Sequence, residues 1–264
     1  MIKTFKYKNA NIRYKDQGKG IPIILLHGYL ESLEIWDGFA AELIHKYRIV
    51  SIDIPGHGAS GILGEIHTME EMAGCVNYFL EILAIEKCIL IGHSMGGYIV
   101  MAFLKLYAEK LLAFSLFHST PFADTEEKKQ NRDREIELIK EGKKETIYKM
   151  NIPKMFADDN LYDFNEKINE IILTAQKMPE KGIIALLNGM KNRSDHYEML
   201  KNTNLPFLLI LGKKDNYIPY ETVSERIGFT RNMTKLILEN SGHVGFIEEK
   251  DKSVLGVIRF IENL

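Results

Sequence analysis

Ser94 stands in Gly92-His93-Ser94-Met95-Gly96, a G-x-S-x-G pattern. The apolar run "KCILIG" precedes it, and "SMGGYIVMAFLKLYAEK" follows with helical spacing. A serine on the sharp turn between strand and helix exposes its hydroxyl at the carboxyl end of the strand. Glycine at 92 and 96 removes side chains that would crowd such a turn. The helix opening at Ser94 aims its free amides at developing negative charge. The context therefore predicts a nucleophile rather than an incidental serine in a glycine-rich turn.

A serine needs a base, and adjacent His93 is the obvious candidate. Neighbours on a tight turn diverge, however, and cannot hold the ~3 Å hydrogen bond a base requires. His93 is expected to pack or hydrogen-bond within the turn. His243 in "ENSGHVGFIEE" is the better base, since it follows the last predicted strand in a glycine-containing loop. Asp215 in "LILGKKDNYIP" lies just past the strand Phe207–Gly212. Alone it would pass for a solvated turn aspartate. In the order serine, aspartate, histidine it is the residue that orients His243 and stabilises its imidazolium. The segment "FHSTPF" after the preceding strand holds no acid, and Asp124 is the nearest one. Acyl transfer also needs an oxyanion hole. The N–H of Tyr29, after Gly28 in "LLHGYLES", and the N–H of Met95 are the candidate donors.

These residues must be carried by a suitable frame. "TFKYK" and "NIRYK" alternate as a hairpin turning at Lys8-Asn9. "IPIILLH", "YRIVSIDI", "KCILIG", "LAFSLFHS" and "LPFLLILG" are continuous apolar runs, as expected of strands buried on both faces. "MTKLILE" is the last strand and "KSVLGVIRFIENL" the closing helix. Helical spacing fills Ser32–Lys46, and Thr68 with Glu71 forms a capping box before the next helix. This alternation predicts a mostly parallel sheet with helices on both faces. It stops after Thr120, where the chain turns charged and helical, and resumes at Leu205. Residues 121–196 are thus expected to be a helical insertion between core segments 1–120 and 197–264. Its apolar residues, among them Met150, Met155, Phe156, Ile172, Leu186, Leu187 and Met190, suit packing better than substrate contact.

Composition excludes several classes. A net charge of −2 supplies no basic field for nucleic acid. "IPIILL" is too short to span a bilayer, and the charged N-terminus has no signal-peptide core. A soluble, cytoplasmic protein acting on a small molecule is expected, with no nucleic-acid or membrane partner. Cys75 and Cys88 suit buried thiols rather than a disulfide. The histidines lack metal-ligand spacing, so neither metal nor cofactor is expected. "GHGASG" at 56–61 matches G-x-G-x-x-G, but a dinucleotide fingerprint runs at once into a helix, and here the helix waits until about Thr68.

"HGY" at 27–29, "DIPGHGAS" at 53–60, "GHSMGG" at 92–97, "GKKDNYIP" at 212–219 and "SGHVGFIE" at 241–248 together resemble the α/β-hydrolase superfamily, in its order and over most of the chain. The resemblance implies the α/β-hydrolase fold, a helical cap at the insertion, and a structural role for Asp53 and His57. Serine at the nucleophile position disfavours haloalkane dehalogenases and epoxide hydrolases, which use aspartate there. A single "HG-x" departs from the HGGG-type lipases. The nearest likeness is to capped small-molecule hydrolases: carboxylesterases, enol-lactonases, haloperoxidase-like esterases and carbon–carbon bond hydrolases. A serine hydrolase cleaving a small ester through an acyl-enzyme is expected, with Ser94, Asp215 and His243 as its triad. The alternatives are a carbon–carbon bond hydrolase of dienoic keto acids and a ligand receptor on the same fold. The former needs a basic pocket, for which Arg193 is a candidate, though Arg193 is equally suited to pairing in the core.

Overall fold

The structure, a computed structural model, describes residues 1–228 and 230–264. Its strands are β1 (Ile2–Tyr7), β2 (Ala10–Gln17), β3 (Pro22–Leu26), β4 (Arg48–Ile52), β5 (Cys88–His93), β6 (Leu111–Phe117), β7 (Phe207–Gly212) and β8 (Met233–Leu238). They form one sheet in the order β1-β2-β4-β3-β5-β6-β7-β8. β1, β2 and β4 pair antiparallel, and every pairing from β4 to β8 is parallel. The expected hairpin is present and turns at Lys8, whose φ is 50°. β5 and β7 are buried at every position, which is what continuous apolar runs require of strands covered on both faces.

The helices between strands are α1 (Asp37–Leu43), α2 (Met69–Ile82) and α3 (Met95–Tyr107). The first stretch of helical spacing is tighter than expected at its start: Leu33–Trp36 forms a 3₁₀ turn before α1. Thr68 caps α2, its hydroxyl accepting from the Glu71 N–H at 3.1 Å. Between β6 and β7 lie α4 (Glu126–Lys140), α5 (Lys144–Asn151), α6 (Asn165–Gln176), α7 (Glu180–Lys191) and α8 (Tyr197–Asn202). Gly142, at φ 75°, ends α4 and separates it from α5. Met155, Phe156, Leu186, Leu187 and Met190 are buried, whereas Met150 faces outward at 43% exposure. The chain closes with α9 (Tyr220–Ile227), the short α10 (Gly245–Glu248) and α11 (Lys250–Glu262). Cys75 and Cys88 are buried and unpaired, and burial pushes the Cys88 thiol up to about 12. Among the described residues no helix is long and apolar enough to cross a membrane.

Register gathers the strand ends. Leu26 lies opposite Gly92, His93 opposite Phe117, Phe117 opposite Ile210, and Gly212 opposite Leu238. The loops after β3, β5, β6, β7 and β8 therefore leave along one edge, where open parallel sheets build their sites.

Candidate active site

Ser94 occupies the turn between β5 and α3 with φ 50° and ψ −114°. A serine rarely adopts such a backbone, and its cost is of order 1–3 kcal/mol. The surroundings hold it there. The Ser94 N–H donates to the Phe117 carbonyl at 3.0 Å, and its own carbonyl accepts from Ser119 Oγ at 2.7 Å. A Cβ on Gly92 would strike the backbone of Gly96, and one on Gly96 would strike the Leu26 carbonyl. The helix begins at Met95, one residue later than the motif suggests, and the Ser94 hydroxyl is not used to cap it.

Asp215 and His243 arrive from the loops after β7 and β8. His243 Nδ1 lies 2.8 Å from Asp215 Oδ2, both side chains being buried. Asp215 Oδ1 accepts from the N–H groups of Tyr217 and Ile218, at 2.8 and 2.9 Å. Burial alone would raise the Asp215 carboxyl. The imidazoles of His243 and His118 outweigh it and hold the carboxyl well below the usual carboxylate range.

His118 is the residue that motif reading passed over. It follows β6, has φ 47°, and places Nδ1 3.3 Å from the same Asp215 oxygen. Its Nε2 accepts from the Gly245 N–H at 3.0 Å, so the ring proton sits on Nδ1 and faces the aspartate. Burial pushes this histidine down to about 4, against the pull of Asp215, and it stays neutral at neutral pH. The potential ligand atoms of His118, Asp215 and His243 lie within 4.8 Å of one another. A cation there would need the His118 Nδ1 lone pair, where the Gly245 amide has fixed a proton. The donor set therefore suits two imidazoles steadying one carboxylate better than a metal.

The loop after β3 carries Gly28 and Tyr29. The amides flanking Tyr29 are engaged: Gly28 N–H donates to Glu31 Oε2 at 2.5 Å, and Leu30 N–H donates to His57 Nε2 at 3.0 Å. Burial pushes His57 down to about 3, which keeps it a neutral acceptor. Asp53 in the neighbouring loop accepts from the Leu33 and Ala59 amides and pairs with Arg13 at 2.5 Å. His93 points away from Ser94's turn: its Nδ1 meets Glu31 Oε2 at 2.9 Å, and its Nε2 donates to the His243 carbonyl at 2.8 Å.

The helical segment reaches the same edge. Tyr29 donates through its hydroxyl to Glu135 of α4 at 3.0 Å, and Tyr217 to the Asn151 carbonyl of α5 at 2.8 Å. Met155 accepts from the His243 N–H at 2.6 Å. Glu248 accepts from Gly242, Ala157 and Asn160, joining the His243 loop to residues 157–160. Arg193 is not free. It pairs with Asp124 at 2.6 Å, donates to the carbonyls of Phe122 and Met190, and lies 3.8 Å over the Tyr98 ring. Asp124 also pairs with Arg132. Sequence spacing offered no signal for His118, Glu31 or Glu135, and Glu248, though it closes the segment "SGHVGFIE", was given no role there.

Comparison with known proteins agrees with this architecture. The alpha/beta hydrolase fold family model matches residues 21–250. The AB hydrolase superfamily protein YisY of Bacillus subtilis is 27% identical over 95% of this chain and 94% of its own. A pimeloyl-[acyl-carrier protein] methyl ester esterase of Aliivibrio salmonicida is 22% identical over 96% and 97%. A thermophilic esterase of Thermogutta terrifontis superposes with a TM-score of 0.92 at 25% identity, covering 99% of this chain and 97% of that one. The enol-lactonase of Burkholderia xenovorans LB400 shares the fold, with a TM-score of 0.91 at 18% identity over 98% and 100%. The chain belongs to the α/β hydrolase fold family, and it is a hydrolase.

Proposed function

We propose that this chain is a serine hydrolase that cleaves a small carboxylic ester through an acyl-enzyme. One observation carries the reading: the buried Asp215–His243 pair, 2.8 Å long, stands at the same sheet edge as a serine held in a strained strand-to-helix turn. Similarity to proteins named esterases supports it.

Ser94 Oγ attacks the ester carbonyl while His243 Nε2 takes the hydroxyl proton. Asp215 keeps His243 in the tautomer whose Nδ1 carries hydrogen and stabilises the imidazolium that forms. The N–H of Met95, first in its helix and without an intrahelical acceptor, and the N–H of Tyr29 bind the oxyanion. His243 then gives its proton to the leaving alcohol. A water, deprotonated by the same ring, releases the acid. Residues 121–196 form a cap over the core made by 1–120 and 197–264, and shape the substrate pocket.

Ser94→Ala tests this directly. Hydrolysis of p-nitrophenyl acetate and labelling by a fluorophosphonate should both disappear while circular dichroism is unchanged; retained turnover would sink the assignment. His243→Ala should lose far more activity than His93→Gln, measured as kcat/KM.

A further inference from the structure

We propose that Glu31 and His93 form a buried charge pair that positions the three catalytic loops relative to one another. This rests on the serine-hydrolase reading above. Both side chains are 0% exposed. Glu31 Oε2 takes hydrogen from the Gly28 N–H at 2.5 Å and lies 2.9 Å from His93 Nδ1. The far nitrogen of the same ring donates to the backbone carbonyl of His243 at 2.8 Å. One carboxylate and one imidazole thus join the loop that offers the Tyr29 amide, the residue before Ser94, and the backbone of the base.

The hydrogen-bond partners fix one ring proton and place the other contact on Glu31. A carbonyl only accepts, so His93 Nε2 carries hydrogen. Burial alone would raise the Glu31 carboxyl, but its neighbour His93 outweighs burial and the carboxyl sits below its usual range. The proposed pair places the hydrogen of the Oε2–Nδ1 contact on the ring, with Oε2 accepting from both His93 and the Gly28 N–H. The site is built for the pair. A Cβ on Gly28 would come within 2.8 Å of His93 Nδ1 and 3.0 Å of Glu31 Oε2. Phe246 stands edge-on to the His93 ring at 4.9 Å, and Trp36 at 6.3 Å. Neither side chain of the pair hydrogen-bonds to the Ser94 hydroxyl or the His243 ring, although the His93 ring lies 4.9 Å from that of His243. Their effect is on where Ser94, His243 and the oxyanion donors stand, and misplacement by ~1 Å costs on the order of 100-fold in rate.

The test uses two variants and one spectrum. Glu31→Gln keeps the shape and removes the charge. Glu31→Leu/His93→Phe replaces the pair by apolar groups, which proteins tolerate far better than one unpaired charge. Each should lower kcat on p-nitrophenyl acetate by about 10- to 100-fold, with KM within about threefold of wild type. A folded double variant with wild-type kcat would overturn the proposal, since the pair would then serve stability only. Nitrogen-15 spectra of histidine-labelled wild-type protein should show both His93 N–H protons, exchanging slowly, with one lost in Glu31→Gln. A His93 ring bearing a single N–H overturns the charge pair even if neither variant folds. Absence of ester turnover by the wild-type protein would instead sink the serine-hydrolase reading, and is seen without any variant.

Discussion

Asp215 carries two imidazoles on one oxygen, and they are not equivalent. His243 lies at 2.8 Å, with its other nitrogen left for the proposed proton transfer. His118 lies at 3.3 Å, with its other nitrogen occupied by the Gly245 amide, so it can steady the carboxylate but cannot move a proton. The variants should separate these roles. Asp215→Asn removes the acceptor that fixes the His243 tautomer and should lower kcat by roughly 10⁴-fold. His118→Phe should cost at most about tenfold in kcat, because Asp215 keeps His243 and two backbone amides. It should also cost about 1–3 kcal/mol of stability through the orphaned Gly245 N–H. Steady-state kinetics with thermal unfolding checks both. Ser94, Asp215 and His243 could be singled out in the sequence because each sits where a strand ends and a glycine loop begins. His118 also ends a strand, in "FHSTPF", but a histidine there carries no meaning apart from Asp215, which faces it only in the fold.

At the scale of elements, apolar runs located the strands because a parallel sheet buried on both faces tolerates few polar residues. The joints between elements were less legible. Gly142 breaks α4 from α5 inside a stretch whose charge pattern is continuous, and only its φ of 75° explains the break. The contacts of α4 and α5 with the catalytic loops were illegible, since hydrogen bonds such as Tyr29–Glu135 span over a hundred positions. Those contacts have a measurable role. Glu135 accepts from both Tyr29 and Asn151, and Asn151 in turn accepts from Tyr217, whose ring lies 5.2 Å from that of His243. Glu135→Ala should loosen α4 and α5 over the site while leaving Asp215 and His243 in place. The expected result is a KM for p-nitrophenyl butyrate raised about fivefold, matching ~1 kcal/mol for a lost hydrogen bond, with kcat within about twofold. A collapse of kcat at constant KM would show that Glu135 acts on the chemistry instead.

At the scale of the whole molecule, the sheet edge concentrates buried titratable groups, and this sets how the fold responds to acid. His57 and His118 are buried and neutral, pushed down to about 3 and about 4. In the unfolded chain the same rings take up protons below a pH of about 6.5. Between those values the unfolded state binds more protons than the native state, so stability falls as pH drops from about 6.5 toward 4. Each ring should cost about 3 kcal/mol by pH 4. The carboxylates act later and by the opposite displacement. Asp215, Glu31 and Asp124 are held below the usual carboxylate range despite burial, by histidines for the first two and by Arg132 and Arg193 for the third. The stability they contribute is present above their unfolded values near pH 4, and is lost as pH falls through the lower folded values. Acid unfolding should therefore begin in the range set by the histidines, before any of these carboxylates is protonated. Urea midpoints between pH 8 and pH 4 check this: a steady decline starting near pH 6.5 is expected, shallower in His118→Phe than in wild type. A midpoint that stays level down to pH 4.5 would mean that the buried imidazoles do not control the acid response.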